Sequence, residues 1–515
     1  MKKIKILLIA VFIGIISCDN ALETVPTDFI APEFYYNNEN ELNNALNGVY
    51  SVLRYVYSEN LNIHFDVADE EYGQVGASNL MSNYNLNSTE KRVTATWKAL
   101  YRGIEFANKL LENIDKANLN EDALNEIVGQ AKFLRVYYYF ILVSNWGDVP
   151  LKIKSTVSVS DTRYERTPSA EVFDFIIKEM EEAEQLVKPI SDYNYAGRVT
   201  KSAVQGILAR VYLYRAGFPE NDPKGFENSL KWSQKIIASG LHSLNNDYSQ
   251  VFINLIQDKY DLQESIWEVE FYYEGATDIY NNGSRLGVIN GIPQTITALG
   301  YSASQLRPHG ALFYKYEPTD SRRDWCIAPY SFQGNNANNP KVNWTSTQIF
   351  QRFIGKYRRE YELTASKQNN YLPTNFPLLR YADVLLMAAE AENEINGPTS
   401  LAHEYLNQVR TRAKASLFTD ANLITDKDSF RKILQDERSR ELCFEGVRRM
   451  DLRRWGILIS TMKENNDFIS SNAPDATTKN NGMRPGLNIQ EKHLYFPIPL
   501  QEISLDPLLT QNPGY

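Results

Sequence analysis

The chain has 515 residues, of which 43% are hydrophobic and 23% charged, with a formal net charge of −9 and an isoelectric point near 5.4. That is the composition of a globular body with ample length for a core, and the acidic balance, with no basic run or stripe, excludes nucleic acid as a natural partner. The three cysteines, Cys18, Cys326 and Cys443, exclude a disulfide framework but leave one pairing, of Cys326 with Cys443, open.

In chain order, the first element is a basic start (Lys2, Lys3, Lys5) running into the apolar stretch Ile6 to Ile16. A bilayer-spanning helix takes roughly 20 apolar residues, so this one is too short to span and reads as a secretory signal. It ends in Ile15-Ile16-Ser17-Cys18, which resembles the lipobox of bacterial lipoproteins, cleaved before a cysteine that is then acylated on thiol and amine. Two or more chains anchor stably where a single one holds marginally, at ~0.8 kcal/mol per buried CH₂. The resemblance implies a signal peptide over 1–17 and a lipidated Cys18 that tethers the body to a membrane. Residues 18–40, with Pro26 and Pro32 and little periodicity, read as a lead-in.

Helical spacing of apolar residues follows. Leu42, Ala45, Leu46, Val49 and Leu53 predict a helix from Glu41 to Tyr57. A second runs from Thr89 to Ile114 with Ser88 as its expected N-cap, and a third from Glu121 to Val143, closed by the turn Asn145 to Pro150. Thr167-Pro168 reads as a cap followed by proline at the first helical position, opening a helix through Leu186. Two helix pairs come next, 200–217 with 225–239 and 376–395 with 399–413, the latter hinged at Asn396-Gly397-Pro398. Their size suggests tetratricopeptide-like units, whose repeat is ~34 residues. Between 241 and 375 the pattern breaks into turn formers, the low-complexity loop 334–340 and short β-like runs such as Ser265 to Glu270. The expected architecture is mostly α: one domain over 41–515, with a helical scaffold at 41–240 and 376–515 carrying a loop-rich insertion with small strands. Loops held on a rigid scaffold are where binding surfaces are built.

Chemistry-bearing motifs are sparse. Glu437, Glu441 and Glu445 share helical spacing, with Arg438, Arg440, Arg448 and Arg449 close in sequence. Arginines hold carboxylates ionised, which suits a structural ion-pair network locking this helix to the body rather than a proton donor. The five histidines are scattered, and no zinc, nucleophile-elbow or phosphate-loop motif is present. No catalytic residue, metal or cofactor is therefore expected. Sugar binding asks for other things: rings to cover the apolar faces of a pyranose, and Asn, Gln, Asp, Glu or Arg to meet its hydroxyls. Two regions offer both, Asp69 to Gln74 with Asn83-Tyr84-Asn85, and Tyr272 to Trp344. The candidate ligand contacts are Tyr72, Asn83, Tyr84, Tyr280, Tyr301, Arg307, Trp325, Tyr330 and Trp344, each ring to be weighed against simple packing under a loop. Arg322-Arg323-Asp324 reads as a structural turn.

Four stretches carry a resemblance. They are Tyr101-Arg102-Gly103-Ile104 with Ala107-Asn108; Gly129 to Arg135 leading to Tyr138-Tyr139-Phe140 and the Trp146 to Pro150 turn; Leu379 to Leu386 with Ala389-Glu390-Ala391 and Leu406 to Arg410; and Glu437 to Gly446 with Asp451 to Gly456. The chain closes on Tyr495 to Pro499 and Gln511 to Tyr515. In this order, behind a lipobox, they resemble the SusD/RagB family of Bacteroidetes outer-membrane lipoproteins; Cys443 stands where that pattern usually has another small or apolar residue. The resemblance implies a SusD-like fold and a lipid-anchored protein exposed on the outer membrane. It implies a SusC-like TonB-dependent transporter as partner, oligosaccharide as cargo with peptides as the alternative, and ligand contacts from loops in the two regions above.

Overall fold

A computed structural model of the chain describes residues 35–58, 63–65, 68–73, 81–273, 283–333, 341–363, 367 and 370–515. Cys18, with the expected signal and anchor, lies outside them. The first helices form a continuous stack: α1 (Glu39–Tyr57), α2 (Lys91–Asn113), α3 (Glu121–Trp146), α4 (Ser169–Leu186), α5 (Lys201–Ala216) and α6 (Lys224–Ser239) each pack on the next. α3 is the axis. From Phe133 to Trp146 every residue is buried, so the helix has no solvent face there and must be enclosed by its neighbours. Its rings reach them directly: Tyr138 Oη donates to Val49 O at 2.6 Å, and the hydroxyls of Tyr57 and Tyr137 share a hydrogen bond of 2.7 Å. Gly103 lets α2 approach, since a Cβ there would fall 2.5 Å from the Tyr138 ring.

After α7 (Tyr248–Ile256) the chain leaves the stack and returns as α10 (Tyr381–Asn396) and α11 (Ser400–Arg412). α10 packs on both α6 and α11, so the two helix pairs, far apart in sequence, are neighbours in space. The strand β1 (Glu71–Gly73) follows α1, and between the two helix pairs lie α8 (Gly310–Lys315), α9 (Arg323–Cys326) and the short strands β2 (Ser265–Val269), β3 (Leu306–Pro308), β4 (Ile327–Ala328), β5 (Tyr330–Phe332), β6 (Lys341–Asn343), β7 (Phe353–Ile354) and β8 (Phe376–Arg380). Among the described residues these form two-stranded ladders, β1–β3, β2–β8, β4–β7 and β5–β6. α12 (Lys427–Leu442), α13 (Arg448–Arg454), α14 (Leu458–Asn472), α15 (Ala476–Asn488) and α16 (Leu500–Leu505) complete the chain. The fold is mostly α, as expected.

Several boundaries differ from the sequence reading, each for a local reason. α2 is capped by Glu90, whose side chain accepts from Arg92 N, and not by Ser88. Pro168 precedes α4 instead of opening it, and Asp148 of the Trp146 to Pro150 turn accepts from Ser169 N at 2.8 Å, tying that turn to the helix start. Residues 376–380 are strand, not the start of a helix: Pro377 has no N–H to give, and the residue before a proline favours extended backbone.

β8 pairs antiparallel with β2, and Glu268 on β2 is buried beside Asn375, which donates to Glu268 Oε2 at 3.0 Å. Burial pushes the Glu268 carboxyl up to about 7, against hydrogen bonds from Ser265 and Asn375. The folded state therefore holds a proton that the unfolded chain releases in the ordinary carboxylate range, and the stability this group contributes is lost as pH rises through about 7. Glu268→Gln is expected to raise the melting temperature at about pH 8 and to leave it nearly unchanged at about pH 5, as read by circular dichroism.

The expected ion-pair network exists, with different partners. Glu437 meets Arg322 (2.7 Å), Arg410 (2.7 Å) and Arg440 (2.7 Å). Glu441 meets Arg412 (2.6 Å), Arg380 (3.0 Å) and Arg322 (3.1 Å). Glu445 lies beyond the end of α12, not on its face, and meets Lys356 (2.6 Å) and Arg380 (2.7 Å). Of the arginines nearby in sequence, only Arg440 joins this set. Arg438 pairs with Asp383 (2.6 Å) and Asp451 (2.8 Å), and Arg448 with Asp69 (2.7 Å). Arg449 donates to Asn145 Oδ1 and to the carbonyl of His493. Burial opposes the charge on Glu441, but Arg412, Arg380 and Arg322 outweigh it and hold the carboxyl down at about 2. Glu437 and Glu441 are thus held ionised by their arginines, with no proton poised for transfer.

Candidate functional site: a ring-and-arginine face

The ladder β1–β3 joins the two loop regions singled out in the sequence, with Tyr72 directly opposite Arg307. Arg307 lays its guanidinium 4.3 Å from the centre of the Phe353 ring and donates to Gln351 O at 3.2 Å. It faces Asp475, an exposed residue that caps α15 by accepting from Thr478 N. Phe353 in turn holds Trp344, ring centres 6.2 Å apart. Further along, Arg358 lies between Trp325 (4.3 Å) and Tyr330 (5.3 Å), and the Lys341 ammonium covers Tyr330 at 4.4 Å. Tyr72, Arg307, Trp344, Tyr330 and Trp325 thus belong to one wall of alternating rings and cations. Phe353 and Tyr330 form a small hydrophobic cluster of their own with Ile292 and Ala328, separate from the main core, and Trp344 packs on it.

Burial divides the candidates. Tyr72, Trp325 and Tyr330 are buried; they pack under the loops and support the surface instead of presenting a ring to solvent. The Tyr330 hydroxyl is also bound by Glu360. Arg307, Trp344 and Tyr301 are half-buried and reach the surface. Tyr301 is held through its carbonyl, which accepts from Arg359 Nη1 at 2.5 Å. Asn83 and Tyr84 are buried elsewhere, against the C-terminal segment: Asn83 O accepts from Asn488, and the Tyr84 ring packs on His493 at 5.3 Å. They do not join the wall. Tyr280 lies outside the described residues. The neighbouring Asp69 and Glu70 are buried beside Arg448, so this stretch is anchorage as well as loop.

The sequence reading missed the most open rings. Tyr314, near the end of α8, is 58% exposed, and its ring meets Phe313 (5.8 Å) and Phe468 (5.7 Å). Phe350 stacks on Phe468 at 6.4 Å. Arg352 and Arg323 lie over Phe313 at 4.7 and 5.1 Å, and Arg352 is bridged to Asp324 at 3.0 Å. The patch joins the wall through consecutive residues: Arg352 covers Phe313 while Phe353 lies under Arg307. Adjacent aromatics at 313–314 were a visible signal, but Phe468 sits on α14, which the apolar pattern did not reveal. Tyr272, inside the region read as loop, is 62% exposed.

Such a face can hold a ligand by stacking and hydrogen bonding. Rings supply apolar surface with defined geometry, and Arg307, Arg323, Asp324 and Asp475 supply polar partners at the rim. Among the described residues no group of three His, Cys, Asp or Glu could hold a metal ion, and no helix is long and apolar enough to cross a membrane.

A family profile described as the SusD family matches residues 309–515, and one described as starch-binding, associating with the outer membrane, matches residues 20–213. The chain belongs to the SusD family. A SusD-like protein of Formosa agariphila is 29% identical over the full length of both chains. The crystal structure of a SusD homolog from Bacteroides thetaiotaomicron superposes with a TM-score of 0.84 at 27% identity, covering 94% of this chain and 98% of that one. Surface glycan-binding protein A from Bacteroides thetaiotaomicron, solved in complex with laminarihexaose, shares the fold at a TM-score of 0.71 and 23% identity, covering 92% and 100%. The SusD profile over 309–515 takes in most of the ring-and-arginine face, from His309 through Tyr314 and Arg352 to Phe468.

Proposed function

We propose that this SusD-family chain is a lipid-anchored receptor on the outer membrane that captures an oligosaccharide and passes it to a TonB-dependent transporter. The observation that carries the reading is the exposed Tyr314 backed by half-buried Phe313 and Phe468, with an arginine and carboxylate rim, continuous with Arg307 and Trp344. A pyranose needs both kinds of surface side by side. The starch-binding description of the matching profile and the laminarihexaose held by a structural neighbour support a glycan over other cargo. Within the face, Tyr314, Phe468, Trp344, Tyr301 and Arg307 would touch the ligand, while Tyr72, Trp325 and Tyr330 hold the surface in shape. Capture without covalent change is consistent with Glu437 and Glu441 being held ionised by arginine.

The test is calorimetric titration of the mature protein with a panel of glucan, xylan and mannan oligosaccharides and of short peptides. Saturable heat with at least one glycan class and none with peptides is the expected result; the reverse pattern would move the assignment to peptide capture. For the anchor, Cys18→Ala is expected to release the protein from washed envelopes, followed by immunoblotting. Retention as firm as that of the unaltered protein would remove the lipid tether.

A further inference from the structure

The two described cysteines come from distant parts of the fold. Cys326 ends α9 in the insertion, and Cys443 caps the C-terminus of α12 in the scaffold. Both are fully buried and free, and they meet at one junction, where Lys356 Nζ donates to Glu441 O and Cys443 O beneath the Tyr248 ring that borders Cys326. Two tyrosines bracket them. Tyr248 Oη lies 3.3 Å from Cys326 Sγ and donates to Glu441 O; Tyr316 Oη lies 3.3 Å from Cys443 Sγ and donates to Arg440 O. Consecutive residues clamp the two backbones: Gly355 N donates to Cys326 O at 2.8 Å and Lys356 Nζ to Cys443 O at 2.7 Å. Two buried thiols brought to one junction, with no group of three candidate metal ligands among the described residues, are placed for one reaction.

We infer that Cys326 and Cys443 are joined as a disulfide in the mature protein, cross-linking the base of the ligand face to the scaffold. The inference rests on the export read from residues 1–18, because disulfides persist in oxidising compartments. The oxidant is a disulfide donor, either a thiol oxidoreductase or a small-molecule disulfide. One cysteine thiolate attacks a donor sulfur and expels the other donor sulfur as a thiolate. The second cysteine thiolate then attacks the mixed disulfide at the protein sulfur and releases the remaining donor thiolate. The S–S bond forms, two cysteine thiols are oxidised, the donor disulfide is reduced to two thiols, and the two protons end on those thiols. Because the finished fold seals both sulfurs, the exchange belongs to folding, before α12 closes on the insertion. The completed bond is then shielded from reductant. It closes a loop of more than a hundred residues, the regime in which a cross-link constrains the unfolded chain most.

The experiment isolates the full-length protein from whichever cell fraction holds it, quenches free thiols with iodoacetamide during denaturation, and maps peptides by mass spectrometry. A linked pair of Cys326 and Cys443 peptides, lighter by two hydrogens and carrying no alkyl group, is expected. Complete alkylation of both cysteines overturns the proposal, and the fraction yielding the protein reports on export separately. A second measurement compares Cys326→Ala, Cys443→Ala and the double variant by thermal melt. A shared cross-link is lost by either change, so equal shifts with no further loss in the double variant are expected. Shifts that simply add would mean two independent packing thiols and no bond.

Discussion

Arg380→Ala is expected to yield no folded protein under conditions in which the unaltered chain is stable. Arg380 is fully buried and its guanidinium is spent on three carboxylates: Glu445 (2.8 and 2.7 Å), Glu264 (2.8 Å) and Glu441 (3.0 Å). Removing one partner of a single buried pair costs about 3–5 kcal/mol, because the other charge is left without water or counterion. Here three acids lose a donor at once, against a total stability on the order of 5–15 kcal/mol for a native protein. Arg380→Lys is expected to rescue little, since an ammonium cannot reproduce the fork that meets three separate carboxylates. Soluble yield and a circular-dichroism melt report the outcome; a variant that melts within a few degrees of the parent would show that the surrounding acids share Arg412 and Lys356 well enough to do without it. The same cluster sets the acid limit of the fold. The Glu441 carboxyl is held at about 2, below its unfolded value, so its contribution is full above the ordinary carboxylate range and is lost as pH falls through about 2.

The second large effect concerns binding. Tyr314→Ala combined with Phe468→Ala is expected to weaken glycan affinity at least tenfold while leaving the melting temperature nearly unchanged. Truncating central aromatic contacts in recognition surfaces costs about 2 kcal/mol or more, and about 1.4 kcal/mol is a factor of ten. Stability should hold because Tyr314 is more than half exposed and Phe468 is only partly covered. Calorimetric titration with whichever glycan the unaltered protein binds decides the matter. Unchanged affinity would place the ligand elsewhere on the insertion, with the exposed Tyr272 as the next ring to remove.

The helices were legible because their signal is local. Leu42, Leu46, Val49 and Leu53 declare one face of α1 without reference to any other part of the chain, and Gly397, at φ +79°, ends α10 where the hinge was expected. What the sequence concealed was non-local. Nothing near Glu441 announces that its partners are Arg322, Arg380 and Arg412; charges close in sequence were the wrong guide, and Arg438 and Arg448 turned to Asp383 and Asp69 instead. The rings failed as exposure markers for a similar reason. A tyrosine in a loop has no core to fill only if the loop has none of its own, and Tyr330 and Phe353 make one with Ile292. α15 hid behind Gly482, Gly486 and an internal Pro485, which weaken any helical pattern. The register that sets Tyr72 against Arg307 spans more than two hundred residues, beyond the reach of any periodicity.

The insertion leaves the helical stack after α7 and re-enters it at α10, the helix that packs on α6, and the β2–β8 ladder zips its two ends together. The described residues between Val269 and Phe376 therefore leave and return through one neck. Changes of length beyond that neck leave the scaffold its partners only where they spare Arg322 and Lys356, which reach back to Glu437, Glu441 and Glu445.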